Sequence, residues 1–84
     1  MGEAFTLRVI SPSKVVFEGE VEMVGLPGTG GAFTVLHNHA SLITTLEKGR
    51  IVYRVKGEHG DDRVIEISGG LATVDHNVVS VCLE

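Results

Sequence analysis

Residues 26–49 read LPGTGGAFTVLHNHASLITTLEKG, and the fold follows from how this stretch is punctuated. Pro27-Gly28-Thr29-Gly30-Gly31 is a tight glycine-rich connection. Ala32 to Leu36 then alternates, with Phe33 and Val35 on one side. His37-Asn38-His39-Ala40 is turn-like, because Asn tolerates left-handed backbone and bonds its own main chain. Ser41 to Leu46 is apolar and β-branched, which favours a strand over a single helical turn. Lys48-Gly49 ends it. Turn, strand, turn, strand within 24 residues is the grammar of an all-β chain.

The same grammar holds on both sides. Upstream, Phe5, Leu7 and Val9 alternate with Thr6, Arg8 and Ile10 as a first strand. Ser11-Pro12-Ser13 breaks it, since proline cannot extend a ladder. Lys14 to Phe17 is a short run stopped at Glu18-Gly19, and Glu20 to Leu26 is the next. In that run Val21 and Met23 are expected on one face, and Glu20, Glu22 and Val24 on the other. Downstream, Arg50 to Lys56 alternates with Ile51, Tyr53 and Val55 inward. A polar connection, residues 57–62, leads to the returning strand Arg63 to Ser68. Gly69-Gly70 marks a bend or bulge. Leu71 to Val74, a turn at Asp75-His76-Asn77, and Val78 to Leu83 complete the chain. The expectation is an all-β, flattened β-sandwich or barrel of about nine to ten short strands in two sheets, a single domain over residues 1–84. No window of about eleven residues holds a helical period.

Composition bounds the function. Eighty-four residues bury only about 60% of the surface that the unfolded chain exposes, so a partner, a metal or disulfides must supplement the core. With one cysteine, Cys82, no intrachain disulfide forms, and a partner leads. Cys82 itself reads as core packing in the last strand. The net charge of −4 leaves no basic stripe for nucleic-acid phosphates. There is no apolar run of about 18 residues, the length of a membrane-crossing helix, and no basic-then-apolar leader pattern at the N-terminus.

Two chemical readings of the central stretch fail on spacing. A phosphate loop needs a Lys after its last glycine, but the next is Lys48. A dinucleotide fingerprint needs a third glycine where Phe33 stands. A metal site is suggested by His37-x-His39, and Gly31, six residues earlier, matches the G-x5-H-x-H opening of the cupin family. That family then wants a Glu where Ile43 and Thr44 stand, and a later P-x-G absent here, since Pro12 and Pro27 both come earlier. Two imidazoles alone do not complete a coordination sphere. No catalytic constellation is suggested, and no cofactor or small-molecule substrate.

The stretch resembles the signature of the epsilon subunit of F-type ATP synthases, approximately LPG-T/S-E-G-E-F-G-V-L-P-G-H-A-P-L-I-T-x-L-x-P-G. Leu26, Pro27, Gly28, Thr29, Gly31, Phe33, Val35, Leu36, His39, Ala40, Leu42, Ile43, Thr44, Leu46 and Gly49 match it. LRVISPSKVVFEGEVEMV resembles the family's opening strands, and ISGGLATVDHNVVSVCLE its closing strands. Gly30 and Ala32 replace two acidic residues of the pattern, His37-Asn38 replaces Pro-Gly, and Ser41 and Lys48 replace prolines.

The resemblance implies the N-terminal β-sandwich without the C-terminal helical hairpin, which in longer members restrains ATP hydrolysis. It implies a non-catalytic rotor subunit of the proton-translocating synthase, joining the gamma subunit to the c-ring. The expected place is the cytoplasmic face of the bacterial inner membrane, peripheral and not inserted. Thr29, Gly30, Gly31, Ala32 and His39 are expected near the c-ring, and Ser11, Leu42 and Thr44 on the gamma side. Core packing is the other reading of Leu42. Two alternatives stand beside this: a cupin-like metal protein using His37 and His39, and a β-sandwich adaptor for another complex.

Overall fold

A computed structural model describes residues 3–84. Every element in it is a strand: β1 (Phe5–Ile10), β2 (Val15–Gly28), β3 (Gly31–Val35), β4 (Leu42–Leu46), β5 (Gly49–Val55), β6 (Arg63–Ile67), β7 (Gly70–Asp75) and β8 (Val78–Leu83). The molecule measures 32 × 24 × 21 Å.

One hydrogen-bonded network folds back on itself as two layers that share β2. The first layer runs β4-β7-β8-β1 and reaches the first half of β2. The second is built from β3, the second half of β2, β5 and β6. All pairings are antiparallel except β1 with β8. A single bridge, Gly28 to Leu46, ties β2 back to β4 and brings the layers together at one corner.

The expected all-β sandwich is therefore present, with eight strands in place of nine or ten. The expected runs Lys14–Phe17 and Glu20–Leu26 are one strand of 14 residues. Gly19 does not stop it. It pairs with Leu7, and the Phe17 ring lies over it, with Cζ 3.2 Å from where a Cβ would stand. A glycine covered by an aromatic ring is a packed sheet position, not a chain reversal.

The two-residue period in β2 also breaks. Val21 pairs with Val55 and Met23 with Arg54, so Glu22 is an extra residue. This bulge resets the alternation. Val21 and Val24 are both fully buried, whereas Met23 is not. The expected facing of Met23 and Val24 is thus reversed. The bend lets the first half of β2 serve one layer and the second half the other.

Between the layers lies an aliphatic core. Leu7 and Val9 from β1, Val21, Val24 and Leu26 from β2, Ile51 from β5 and Val79 and Val81 from β8 are at most 2% exposed. Phe17 and Tyr53 stack tilted with ring centroids 4.7 Å apart. No polar or charged residue is buried among those described. With Val79 and Val81 inward, Cys82 points outward and is exposed, so the core-packing reading of Cys82 is corrected by strand parity.

Candidate docking surface

Cross-strand register sorts the outer faces of the two layers. On the β4-β7-β8 side the aligned rows are Thr45, Leu71 and Cys82, then Ile43, Thr73 and Ser80, then Asp75 beside Val78. Ile43 is 75% exposed, Leu71 41% and Val78 42%. Apart from Asp75 at its margin, this panel carries no charge. Charges resume on β1 and β2, where Arg8 Nε lies 3.6 Å from Glu18.

The outer face of the second layer is different. Arg54 holds Asp62 through two bonds, Nε to Oδ1 at 2.9 Å and Nη2 to Oδ2 at 3.3 Å. Hydrogen bonding to Asp62, then its charge, raises the Arg54 pKa. Arg63, opposite buried Tyr53 and so not on this face, pairs with Glu58, and its pKa is raised in the same way. Arg50 faces Glu66 at 3.9 Å. Val64 is exposed there but sits among these pairs. A flat uncharged panel is cheap to desolvate, whereas ion-paired side chains resist it.

The ends of the strands carry the other candidates. β2 and β3 form a hairpin closed by Thr29-Gly30, with Gly31 at φ 134°, a conformation that L side chains rarely adopt. Thr29 N–H donates to the Thr45 carbonyl at 3.0 Å, and the two threonine hydroxyls meet at 2.8 Å. Thr29, Gly30, Gly31 and Ala32 are all exposed on this tip. Ser11 lies at the same end, because the rows run Ile10 to Cys82, Cys82 to Leu71 and Leu71 to Thr45. Its Oγ donates to the Lys14 carbonyl at 3.2 Å.

His39 stands elsewhere. β3 starts in the hairpin tip and runs away from it over five residues, a rise of about 17 Å. His39 sits in the β3–β4 turn, with Nδ1 2.7 Å from the Ala40 carbonyl oxygen. This turn faces the β7–β8 turn. Ser41 Oγ donates to Asp75 Oδ1 at 2.8 Å, and His76 Nδ1 also lies 2.8 Å from that oxygen. The Ser41 hydroxyl first, and His76 second, hold the Asp75 carboxyl below its usual pKa. Leu42 and Thr44 share strand parity with buried Leu46 and are half-buried, and Leu42 packs on the core. The exposed apolar residue of that strand is Ile43, which sequence reading passed over. Strand parity from Leu46 is the signal that finds it.

His37 and His39 point to different partners. His37 Nε2 lies 3.4 Å from Asn77 Nδ2 and 3.4 Å from Glu3 Oε1. Among the described residues no group of three or more His, Cys, Asp or Glu is placed to hold a metal ion.

The family described as ATP synthase, Delta/Epsilon chain, beta-sandwich domain matches residues 4–84. The chain belongs to this family. The ATP synthase epsilon chain of Rickettsia typhi is 32% identical over 84 residues, covering all of this chain and 76% of that protein. That of Desulfitobacterium hafniense is 43% identical over 81 residues, covering 96% of this chain and 59% of that one. That of Synechocystis is 46% identical over 76 residues, covering 90% and 54%. The chain thus spans little more than half the length of the latter two.

Solved structures share the fold, two mitochondrial ATP synthases among them. The Euglena gracilis mitochondrial ATP synthase, resolved with its c-ring, contains a chain that superposes with a TM-score of 0.86 at 22% identity, over 95% of this chain and 50% of that one. The central stalk and c-ring of the Tetrahymena thermophila mitochondrial ATP synthase gives 0.78 at 14% identity, over 98% and 64%.

Proposed function

We propose that this chain is a non-catalytic subunit of the rotor of an F-type ATP synthase, joining the gamma subunit to the c-ring so that ion flow is coupled to ATP synthesis. The observation that carries the reading is the family match over residues 4–84. The uncharged panel on β4, β7 and β8 supports it, because the bare 84-residue chain presents Ile43, Leu71 and Val78 to water. Its place is the cytoplasmic face of a bacterial inner membrane, held there by the complex. The bacterial relatives support that placement.

The hairpin tip, Thr29 to Ala32, is the part we assign to the c-ring. Its acidic positions are here Gly30 and Ala32, so the contact is made by backbone and shape. Ser11 belongs to the same end. The gamma subunit is assigned to the panel, with Ile43 as its most exposed anchor and Leu42 and Thr44 supporting the same strand from inside. His39, at the far end of β3, is assigned to a second contact apart from the tip.

The reading is tested by titrating the chain calorimetrically into gamma subunit, and by assembling synthase with and without it. One-to-one binding is expected, together with proton pumping that falls when the chain is omitted. Full coupling in its absence would overturn the rotor role.

A further inference from the structure

The β3–β4 turn and the β7–β8 turn are joined by two asparagines, 39 residues apart in the chain. Asn38 lies at φ 64° and Asn77 at φ 61°, in the left-handed region that Asn visits more readily than most residues. The Asn38 N–H donates to Asn77 Oδ1 at 2.6 Å, and Asn77 Nδ2 donates back to Asn38 Oδ1 at 3.0 Å. A carboxamide nitrogen carries two hydrogens. The second has His37 Nε2 within reach, 3.4 Å from Asn77 Nδ2.

His37 Nε2 therefore has neighbours with opposite demands. Asn77 offers it an N–H, which only the unprotonated nitrogen accepts. Glu3 offers a carboxylate oxygen at 3.4 Å, which only the protonated nitrogen serves as a donor. We propose that His37 is a proton-operated latch on the Asn38–Asn77 clasp. Neutral His37, as the tautomer that carries its proton on Nδ1, accepts at Nε2 from the Asn77 carboxamide and holds the two turns together. Protonated His37 sets two N–H donors against each other, turns to Glu3 and releases Asn77 from its third partner.

The ion pair formed does not replace what is lost. Glu3 is 78% exposed and His37 27%, so the pair is solvent-screened and weak. The other titratable groups at this end are engaged separately. His39 Nδ1 contacts the Ala40 carbonyl oxygen, and His76 and Ser41 both contact Asp75. Neither imidazole is hydrogen-bonded to Asn38 or Asn77. The two positions that build it on this turn, His37 and Asn38, are those where the family pattern carries Pro-Gly. The latch is a property of this chain's own turns and does not depend on the rotor role.

The test is amide hydrogen exchange, with 15N NMR of the imidazole rings, on this chain at about pH 8 and about pH 5.5, which bracket imidazole titration. After correction for intrinsic exchange, the Asn38 amide is expected to lose about three- to tenfold of its protection on acidification, the size of one hydrogen bond. The loss should follow the His37 ring and no other. His37→Gln, which does not titrate, should make protection independent of pH, while His39→Gln and His76→Gln leave the pH dependence intact. A pH-independent Asn38 amide in the unmodified chain would overturn the proposal. So would a pH dependence that survives in His37→Gln or disappears in His76→Gln. Should a variant fail to fold, the comparison of the Asn38 amide with the His37 ring in the unmodified chain decides alone.

Discussion

Two glycine-to-alanine substitutions, Gly70→Ala and Gly30→Ala, make the same chemical change and should move stability in opposite directions. Gly70 opens β7 between Leu46 of β4 and Leu83 of β8. A Cβ there would stand 2.5 Å from the Cys82 carbonyl oxygen and 3.3 Å from the Leu83 Cα. Both obstacles are backbone, so no side chain can swing aside. Forcing a methyl into a packed site costs about 1–3 kcal/mol. The stiffer unfolded chain returns about 0.4–1 kcal/mol. The net loss is about 1–2 kcal/mol, which lowers the melting temperature of a domain this size by about 5–15 °C. Gly30 has nothing within 4 Å of its Cβ position and no positive φ. Only the unfolded-state effect then acts, and stability should rise by about 0.4–1 kcal/mol. Thermal and urea unfolding followed by circular dichroism measure both. An unchanged midpoint for Gly70→Ala, or equal shifts for the two variants, would refute the packing argument. Gly30→Ala is also the cleaner functional probe, since it alters the hairpin tip assigned to the c-ring in a chain that remains folded.

Leu7, fully buried at the centre of the sandwich, should lose about 3 kcal/mol on substitution by alanine, read as a lower urea midpoint with unchanged slope. Ile43→Ala, at a site 75% exposed, should leave the melting temperature unchanged and weaken gamma binding by about tenfold, the worth of burying most of one aliphatic side chain. Val64→Ala, exposed among ion pairs on the other layer, should change neither, and equal losses of binding for the two would sink the panel assignment. Asp75 is held below its usual pKa by Ser41 and His76. Its depressed folded value contributes stability above the unfolded carboxylate range, about pH 4, lost as pH falls through the folded value. Ser41→Ala should move the Asp75 titration upward toward the ordinary value, followed by 13C NMR of its carboxyl carbon.

Period-2 alternation makes most strands legible. Counting alone places Ile51 and Tyr53 inward, and they are buried. Counting failed where a residue's local meaning was overruled by a distant one. Gly19 looks like punctuation in sequence, but in the sheet it is the space that the Phe17 ring occupies. The bulge at Glu22 has no local signature, because it exists only as a mismatch between β2 and β5. Cys82 was misread although its neighbours give the answer, since Val79 and Val81 fix the inward parity and Cys82 falls outside it.

The interface residues divide along the same line. A motif lists Thr29 to Ala32 and His39 close together in sequence, yet β3 starts in the tip and runs away from it, and extension converts its five residues into about 17 Å. Nearness in a β-chain is decided across strands, not along them. That is why the hairpin tip keeps company with Thr45 and Ser11's end of the sheet, while His39 faces the Asp75–Asn77 turn. The uncharged panel follows the same rule. Ile43, Leu71 and Val78 are unremarkable singly and lie on three different strands. They become a surface only once β4, β7 and β8 are set in register. A partner that covers Ile43 must therefore recognise the sheet and not a peptide segment, so it should bind the folded chain and lose affinity in step with unfolding.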